Sequence, residues 1–158
     1  MALLNILTEG EETLRKTCRP VEKVTERIRT LLDDMYETML HAEGVGLAGP
    51  QVGVLRRVVV IECPGSGRID LVDPVIIRTE GSQVGREGCL SIPEKCGIVE
   101  RPMKVTVQAL DRNGKPFELT GEELLARALC HEIDHLDGIL YPDKAQRMLT
   151  EEELEELE

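Results

Sequence analysis

The sequence has few aromatic residues: one phenylalanine, two tyrosines and no tryptophan among 158 residues. Proteins that bind single-stranded nucleic acids stack the bases on aromatic rings, and this chain lacks the side chains for such a surface. Basic residues are also a minority, because 19 lysines and arginines stand against 30 aspartates and glutamates, for a formal net charge of −11. Such a surface does not neutralise phosphates, so we expect no direct binding of nucleic acid.

Long apolar segments are absent as well. Runs such as Val58–Ile61 are far shorter than the roughly 20 residues of a membrane-spanning helix, so no membrane segment is expected. Residues 1–10 contain Glu9 and have no basic stretch before their apolar residues, which is not the pattern of a secretory signal. We therefore expect a cytoplasmic location. Reduced thiols or a metal site account better than disulfides for five widely spaced cysteines, at Cys18, Cys63, Cys89, Cys96 and Cys130.

The length and the apolar content indicate one core. A chain of 158 residues is about one domain's worth, and 41% hydrophobic residues are enough to bury a core that can support a buried site. We expect a single domain over residues 1–158 with a short acidic tail at 150–158. Six of the last eight residues are glutamates, and Thr150 with Glu153 has the spacing of a capping box, so this tail is predicted to be a solvated, frayed helix.

The periodicity of the apolar residues predicts two longer helices. Over residues 25–42, apolar side chains recur at steps of three and four, and Gly44 is expected to end this helix in the left-handed conformation. Thr120 and Glu123 have the spacing of a capping box ahead of a second apolar pattern. A second helix is therefore predicted over residues 121–136.

Between the helices, the pattern changes to short β-branched segments separated by Gly, Pro or Asp. These predict strands at residues 58–61, 69–78, 84–87 and 104–110. The Asn113-Gly114 pair favours a tight hairpin, which would pair residues 105–110 with residues 116–119. Because the helices are separated from a run of strands, the pattern indicates an α+β fold with antiparallel or mixed β-sheets.

The second predicted helix contains the pattern His131-Glu132-Ile133-Asp134-His135. Residues four apart lie on one helical face, so both imidazoles can bind one metal ion while Glu132 projects beside it. Two half-buried histidines that are hydrogen-bonded in the core are the alternative explanation of the pattern. The remaining histidine, His41, has no such partner, and we interpret it as a cation near a helix C-terminus.

A metal ion at this pattern needs a third ligand. Cys89 follows a glycine in an apolar, strand-like segment, and its thiolate would complete a Cys, His, His set. Three protein ligands leave the fourth tetrahedral position for water, which is the arrangement of a catalytic site. The alternative is that Cys89 packs in the core as a small hydrophobic residue, as free cysteines commonly do.

A glycine-rich segment, Gly44 to Gln51, follows the first predicted helix. The missing side chains permit close approach of another group to the backbone. No Lys-Ser or Lys-Thr follows, so phosphate binding is not favoured. Gln51 offers an amide donor, which at a metal site can stabilise an oxyanion.

Taken in order, three segments resemble the motifs of the peptide deformylase family. They are the G-x-G-L-A-x-x-Q segment at residues 44–51, the E-G-C-L-S segment at 87–91, and the H-E-x-x-H helix at 131–135. The resemblance extends from the first helix to about Tyr141, which is nearly the whole chain. It implies an α+β fold with antiparallel or mixed sheets packed around a central metal-binding helix.

The resemblance also implies roles for individual residues. In that family, residues matching Cys89, His131 and His135 hold one divalent metal ion, with a water as the fourth ligand. The residue matching Glu132 would act as general base and then as general acid. The Gln51 side chain and the Leu90 backbone N–H would stabilise charge on the substrate oxygen.

The implied reaction is hydrolysis of the N-formyl group from the N-terminal formylmethionine of newly made polypeptides, with release of formate. The peptide is expected to lie extended as an added strand, against Gly44, Val45, Gly46 and Gly88. Fe²⁺ is the usual native ion in the family, and Zn²⁺, Ni²⁺ or Co²⁺ can occupy the same ligands. Its partners would be N-formylmethionyl nascent peptides. A transient contact with the ribosome stays open, since the acidic tail lacks the basic helix by which other members dock.

Several positions differ from the family pattern or have two explanations. Cys130 stands where members commonly carry Gln, Gly49 where a second alanine is usual, and Cys96 in a stretch where some members contact the substrate with arginine. Cys130 is expected to face packing, because it lies about 100° around the helix from His131. Glu87 and Arg101 are expected to form a bidentate pair near the metal ligands, and an ordinary surface ion pair is the alternative.

Two other functions are alternatives for the H-E-x-x-H pattern. A zinc peptidase of the H-E-x-x-H type takes its third ligand from a downstream His or Glu, and no downstream histidine exists here. A noncatalytic module with a structural zinc would close the site with four protein ligands, which requires Cys96 or Cys130 to join the other three.

Overall fold

The computed structural model describes residues 2–157 and has an α+β architecture, as predicted. The α-helices are α1 (Glu26–His41), α2 (Leu124–Leu136) and α3 (Glu151–Glu155). The strands are β1 (Gly46–Ala48), β2 (Val58–Ile61), β3 (Ile69–Glu80), β4 (Gln83–Cys89), β5 (Ile92–Arg101), β6 (Lys104–Leu110), β7 (Pro116–Glu122) and β8 (Ala145–Met148). Short 3₁₀ helices cover Glu12–Arg15, Gly49–Val52 and Tyr141–Asp143.

The strands form two sheets in which neighbours are antiparallel. The larger sheet has the order β1-β2-β3-β6-β7, and the smaller has the order β4-β5-β8. Strands β1 and β4 are therefore edge strands of different sheets. The expected hairpin is confirmed, because Leu110 pairs with Pro116 across a turn in which Gly114 has a positive φ of 81°.

Strand β2 explains how the larger sheet is covered. Val59 and Ile61 belong to the hydrophobic cluster that contains the buried side of α2, whereas Val58 and Val60 belong to the cluster that contains α1. The continuous apolar run of this strand is typical of a strand with both faces buried. Helices α1 and α2 thus lie on opposite faces of the larger sheet.

Helix α1 matches the predicted bounds within one residue, and Thr25 accepts a hydrogen bond from the Ile28 N–H. The prediction for its end is wrong. Glu43, with φ of 59°, takes the left-handed conformation, while Gly44 donates its N–H to the Met39 carbonyl at 3.0 Å. The missing side chain of Gly44 instead lets Leu90 pack closely, because a Cβ there would lie 2.6 Å from Leu90 Cδ1.

Helix α2 begins at Leu124, three residues after its predicted start, and the predicted capping box is wrong. Thr120 lies in β7, where its hydroxyl bonds that of Thr106 at 2.9 Å. Glu123, with φ of 54°, precedes the helix without a side-chain cap and donates its N–H to the Met103 carbonyl. The pairing of β6 with β7 takes the residues that the local pattern assigned to the first helical turn.

The acidic tail forms the predicted capped helix. Thr150 and Glu153 each accept a hydrogen bond from the other's backbone N–H, at 3.0 and 3.1 Å, and α3 has no buried residue. The sequence patterns did not predict strands β1, β5 and β8. Strand β5 contains Pro93 and Gly97, and these are residue types that separate strands in the sequence prediction. In residues 2–157, no helix is both long and apolar enough to cross a membrane.

Candidate metal centre

Two elements bring three metal-binding side chains together. Cys89 ends β4, where the register with β5 shifts between Glu87 and Cys89, and His131 and His135 lie on α2. One ligand atom from each of the three lies within 4.8 Å of the others. The helix supplies two ligands through the four-residue spacing, and the end of the edge strand supplies the third.

The donor set fits a tetrahedral metal ion. Cys89 Sγ lies 3.3 Å from His135 Nε2. A sulfur and a nitrogen that bind the same tetrahedral zinc ion are separated by about 3.5 Å, so the two distances are similar. Burial, followed by the positive charge of His131, lowers the pKa of His135 to about 3. The neutral imidazole is the form that binds metals, so His135 is already in its metal-binding form.

Glu87 orients His131 from behind. Its Oε1 lies 2.8 Å from His131 Nδ1, which leaves Nε2 of that ring for a ligand. Arg101 binds both carboxylate oxygens through Nε and Nη2 at 2.8 and 2.9 Å, and Arg127 Nη1 binds Oε2 at 2.6 Å. Burial opposes the charged form of Glu87, but hydrogen bonds from Arg101 and His131 hold its pKa far below the ordinary range.

The bidentate pair of Glu87 and Arg101 is thereby confirmed, and the alternative of a surface ion pair is wrong, because both residues are buried. Arg101 also donates through Nη1 to Asp134 at 2.8 Å, and Lys144 contacts the same carboxylate at 3.1 Å. A charged network thus runs from His131 to the surface at Lys144.

Glu132 lies on the Nε2 side of His131, opposite Glu87. Its side chain is buried, its Oε2 is 3.9 Å from His131 Nε2, and its Oε1 has no hydrogen-bond partner within residues 2–157. Burial raises the pKa of Glu132 to about 7, against the opposing charge of His131. A Cβ at Gly46 would lie 2.5 Å from Glu132 Oε2, so this glycine makes room for the carboxylate.

Gln51 approaches the same centre from the 3₁₀ helix that follows β1. Its Oε1 accepts the Ala48 N–H at 2.9 Å, which leaves the amide nitrogen directed at Ser91 Oγ, 3.1 Å away, and at Cys89 Sγ, 3.5 Å away. The amide is therefore oriented as a donor beside the thiolate ligand. Leu90 follows Cys89 in the chain, and its side chain packs on Gly44.

A cleft of about 340 Å³ opens on these residues. The edge strand β1 contributes Gly46, the edge strand β4 contributes Glu87 and Gly88, and α2 contributes Arg127, His131 and Glu132. The sequence-predicted residues that line it are Gly44, Val45, Gly46, Gln51, Gly88, Cys89, Leu90, His131 and Glu132. His135 lies beneath them, fully buried.

The structure keeps the other singled-out residues apart from the cluster. Cys130 is buried in the core beside α2, as expected, and burial raises the pKa of its thiol. Cys96 is half-buried, with its Sγ 3.7 Å from the position that a Cβ of Gly88 would take. Among the described residues, neither cysteine joins the three ligands. His41 is exposed at the end of α1.

Sequence reasoning did not find Arg127 or Ser91. Ser91 belongs to the quoted E-G-C-L-S segment, so the motif already contained it. Arg127 precedes His131 by four residues on α2, and the same spacing that paired the two histidines places it on their face of the helix.

Known proteins that resemble this chain share one family. A model of the family described as polypeptide deformylase matches residues 3–151. The chain belongs to the polypeptide deformylase family. Peptide deformylases are metal-dependent hydrolases that remove the N-formyl group from newly made peptides, so the predicted family and its enzyme class are confirmed.

Individual deformylases match over almost their full lengths. The peptide deformylase of Acetivibrio thermocellus is 56% identical over 98% of this chain and 91% of its own length. The peptide deformylase of Caldicellulosiruptor bescii is 58% identical over 99% of this chain and 93% of its own length. Among solved structures, a peptide deformylase from Legionella pneumophila superposes with a TM-score of 0.88 at 45% identity, covering 99% of this chain and 95% of its own.

A second solved structure carries a ligand. It is a peptide deformylase from Synechococcus elongatus in complex with actinonin, which superposes with a TM-score of 0.87 at 38% identity and covers 97% of this chain and 82% of its own. The predicted fold class is that of these deformylases.

Proposed function

We propose that this chain removes the formyl group from N-formylmethionyl polypeptides by hydrolysis at a divalent metal ion held by Cys89, His131 and His135. The observation that carries the proposal is the convergence of these three donors within 4.8 Å, beside Glu132 and at one cleft. Three protein ligands leave a position for water or substrate, which distinguishes a catalytic site from a closed structural one.

A divalent ion held by Cys89, His131 and His135 would supply Lewis acidity, which would lower the pKa of a bound water toward about 7 and polarise a carbonyl oxygen. We propose Fe²⁺ as the native ion, with Zn²⁺, Ni²⁺ or Co²⁺ as replacements. One thiolate and two imidazoles suit all of these ions. The Glu87 carboxylate on His131 Nδ1 keeps that ring in the tautomer whose Nε2 is free to ligate.

Glu132 takes a proton from the attacking water and delivers it to the departing amine. The free Oε1 and the position of Oε2 beside His131 support this role, because a general base must reach the water within hydrogen-bond distance. The amine leaves as a neutral group only after it has received a proton. Glu132 supplies the proton that it took from the water, so the same carboxylate acts first as general base and then as general acid.

Two donors stabilise the negative charge that develops on the formyl oxygen. The Gln51 amide is held by Ala48, so its NH₂ group faces Cys89 before substrate arrives. We assign the Leu90 backbone N–H as the second donor, since it directly follows Cys89. Such pre-oriented donors gain most of their effect in the transition state, where the charge is largest.

The peptide lies between the two sheet edges. Strands β1 and β4 are both edge strands and both line the cleft, so an extended peptide can add to either of them through backbone hydrogen bonds. We propose Gly44, Val45, Gly46 and Gly88 as the backbone that faces it. A Cβ at Gly88 would meet only ordinary contacts, at 3.5 Å and beyond.

The substrate class also indicates the partners of this chain and its location in the cell. We propose that its partners are nascent peptides that still carry formylmethionine, that a contact with the ribosome is transient, and that it works in the cytoplasm, where these peptides are made. We propose further that residues 1–158 act as one catalytic domain, in keeping with the match to the family over residues 3–151.

Anaerobic release of formate from formyl-Met-Ala-Ser tests the proposal. The parent, reconstituted with Fe²⁺ or Ni²⁺, is expected to turn over. Glu132→Gln is expected to lose turnover by a factor of about 100 or more while it retains one metal ion per chain. Glu118→Gln, at an exposed carboxylate of β7, is the matched control and should behave as the parent. A metal-loaded parent that releases no formate would contradict the proposal.

A further inference from the structure

The cleft carries two exposed charges of opposite sign at its rim. Arg86 of β4 and Glu43, which precedes β1, both line the cleft, and both residues are exposed. Arg127, the other cation of the cleft, is paired with Glu87 at 2.6 Å. Within residues 2–157, by contrast, neither Arg86 nor Glu43 takes part in an ion pair. The rim therefore offers two charges that no described protein group neutralises.

Alternation along β4 determines where Arg86 points. Exposed and less exposed residues alternate in this strand, and Glu87 is buried against His131 of α2. Successive side chains of a strand point to opposite faces, so Arg86 points outward, away from α2. Its partner on β5 is the uncharged Ile98. Because β4 is an edge strand, Arg86 stands at an open edge of the smaller sheet.

The facing wall of the cleft shows the same alternation. Gly46 of β1 is turned toward α2, because a Cβ there would lie 2.5 Å from Glu132 Oε2. Its neighbour Val45 therefore points outward, and this residue is 40% exposed. The outward side of the cleft is thus formed by an apolar side chain on one wall and by the Arg86 guanidinium on the other.

A peptide bound in the cleft would pass Arg86 with its second residue. Cys89 is the last residue of β4, so a peptide that pairs with this edge and has its formyl carbon at the metal ligands extends back toward Arg86. Arg86 lies about 10 Å before Cys89 along the strand, and the second Cα of the substrate lies about 6 Å from the formyl carbon. The long arginine side chain spans the difference.

The same alternation applies to the bound peptide. When the first side chain lies on the α2 side, with the metal ligands, the second side chain points outward. It then lies between Val45 and Arg86, where an apolar stem can pack on the valine and a terminal charge can meet the guanidinium.

We propose that Arg86 is a specificity-determining residue that selects for an acidic second residue in the substrate. The proposal rests on the proposed function. A carboxylate at this position forms an ion pair with Arg86, whereas an ammonium group is repelled. Glu43 on the facing wall acts in the opposite sense. The net charge of −11 repels acidic peptides as a whole, so the local effect of Arg86 is measured as a change in a ratio.

Steady-state kinetics of the Ni²⁺-loaded protein test this proposal with three peptide amides, formyl-Met-Glu-Ser, formyl-Met-Gln-Ser and formyl-Met-Lys-Ser. In Arg86→Gln, the ratio of kcat/KM for the Glu peptide to that for the Lys peptide should fall by about two- to tenfold, the size of exposed ion-pair effects. The change should lie in KM with kcat constant, because the ion pair is the same in the ground state and the transition state. The Gln peptide should be unaffected.

Two variants and one condition serve as controls. Arg78→Gln removes an exposed arginine of β3 outside the cleft, which changes the net charge equally, and it should leave the ratio at the parent value. Glu43→Gln should raise the ratio. Raising KCl from about 0.01 M to about 1 M shortens the Debye length from about 30 Å to about 3 Å, so the ratio of the parent should approach that of Arg86→Gln.

The outcomes separate this proposal from the proposed function. An unchanged ratio in Arg86→Gln, or an equal fall in Arg78→Gln, would overturn the role of Arg86. A response of Arg86→Gln to formyl-Met-Ala-Glu amide without one to formyl-Met-Glu-Ser amide would overturn the assignment to the second residue. A parent that hydrolyses none of the peptides would overturn the proposed function, and the dissociation constants of dye-labelled Met-Glu-Ser and Met-Lys-Ser would still decide whether Arg86 discriminates by charge.

Discussion

Strand β2 and the surroundings of His131 are both buried, but different forces hold them. Every side chain of β2 is apolar and packs between α1 and α2. Around His131, by contrast, Glu87 is shared by two arginines and one imidazole. Apolar packing is nondirectional and adapts to small changes, whereas each group of a buried charged network depends on its partners.

The comparison therefore predicts that changes of similar size have unequal consequences in the two regions. Around His131 they should alter metal retention and activity as well as stability, and in β2 they should alter stability alone.

Glu87→Ala should have the largest effect. It leaves Arg101 and Arg127 without their shared carboxylate in a buried position, which costs about 3–5 kcal/mol of unfolding free energy. Urea unfolding measures the loss, and metal release to EDTA should accelerate as well. Glu118→Ala, at an exposed carboxylate, is the control. A loss below about 1 kcal/mol, the usual range of surface ion pairs, would show that the network behaves as a surface one.

Gln51→Leu should affect activity more than stability. Loss of one donor to the developing oxyanion is expected to lower kcat about 100- to 1,000-fold, with the metal retained. The buried Ala48 N–H also loses its acceptor, which costs about 1–3 kcal/mol of stability. Steady-state kinetics and metal content are the measurements, and an unchanged kcat would remove Gln51 from the mechanism.

Ile61→Val removes one methylene from the apolar core around β2. Ile61 is fully buried in β2, so the expected cost is about 0.5–1.5 kcal/mol. Metal release and kcat should equal those of the parent. An accelerated metal release in this variant would mean that the two regions are not independent.

The last prediction concerns a thiol of the apolar core, whose titration affects stability only at alkaline pH. Burial raises the pKa of Cys18 to about 11 from an ordinary value of 9. Because the folded state favours the protonated thiol, its contribution to stability is complete below pH 9 and is lost as the pH rises to 11. Unfolding free energies measured over this range should fall less steeply for Cys18→Ala. Parallel curves for the two proteins would contradict the assignment.

Local rules account for the parts of the site that were found in advance. The four-residue spacing of His131 and His135 places both on one helical face wherever that helix lies. The same holds for α1 and for the hairpin at Gly114, since periodicity and turn chemistry act within a few neighbouring residues. The sequence offered Cys89 as a candidate third ligand, and only the motif resemblance assigned it that role, because no local rule relates Cys89 to a histidine 46 residues later.

Long-range pairing accounts for the errors. Thr120 and Glu123 have the spacing of a capping box, but residues 120–122 pair with β6 and so belong to β7. At the end of α1, Gly44 looked like the left-handed residue, yet its lack of a side chain serves the contact with Leu90 and Glu43 takes the positive φ. A local pattern does not show which distant chain competes for the same backbone.

The residues of this chain thus determine its class, its helices and the types of ligand it offers, because these depend on composition and short spacings. The tertiary structure alone decides that Cys89 meets the two histidines, that Gly46 leaves space for Glu132, and that Arg127 reaches Glu87 from the cleft. Each of these depends on how β1, β4 and α2 converge, and buried charges find their partners only once the chain has folded around them.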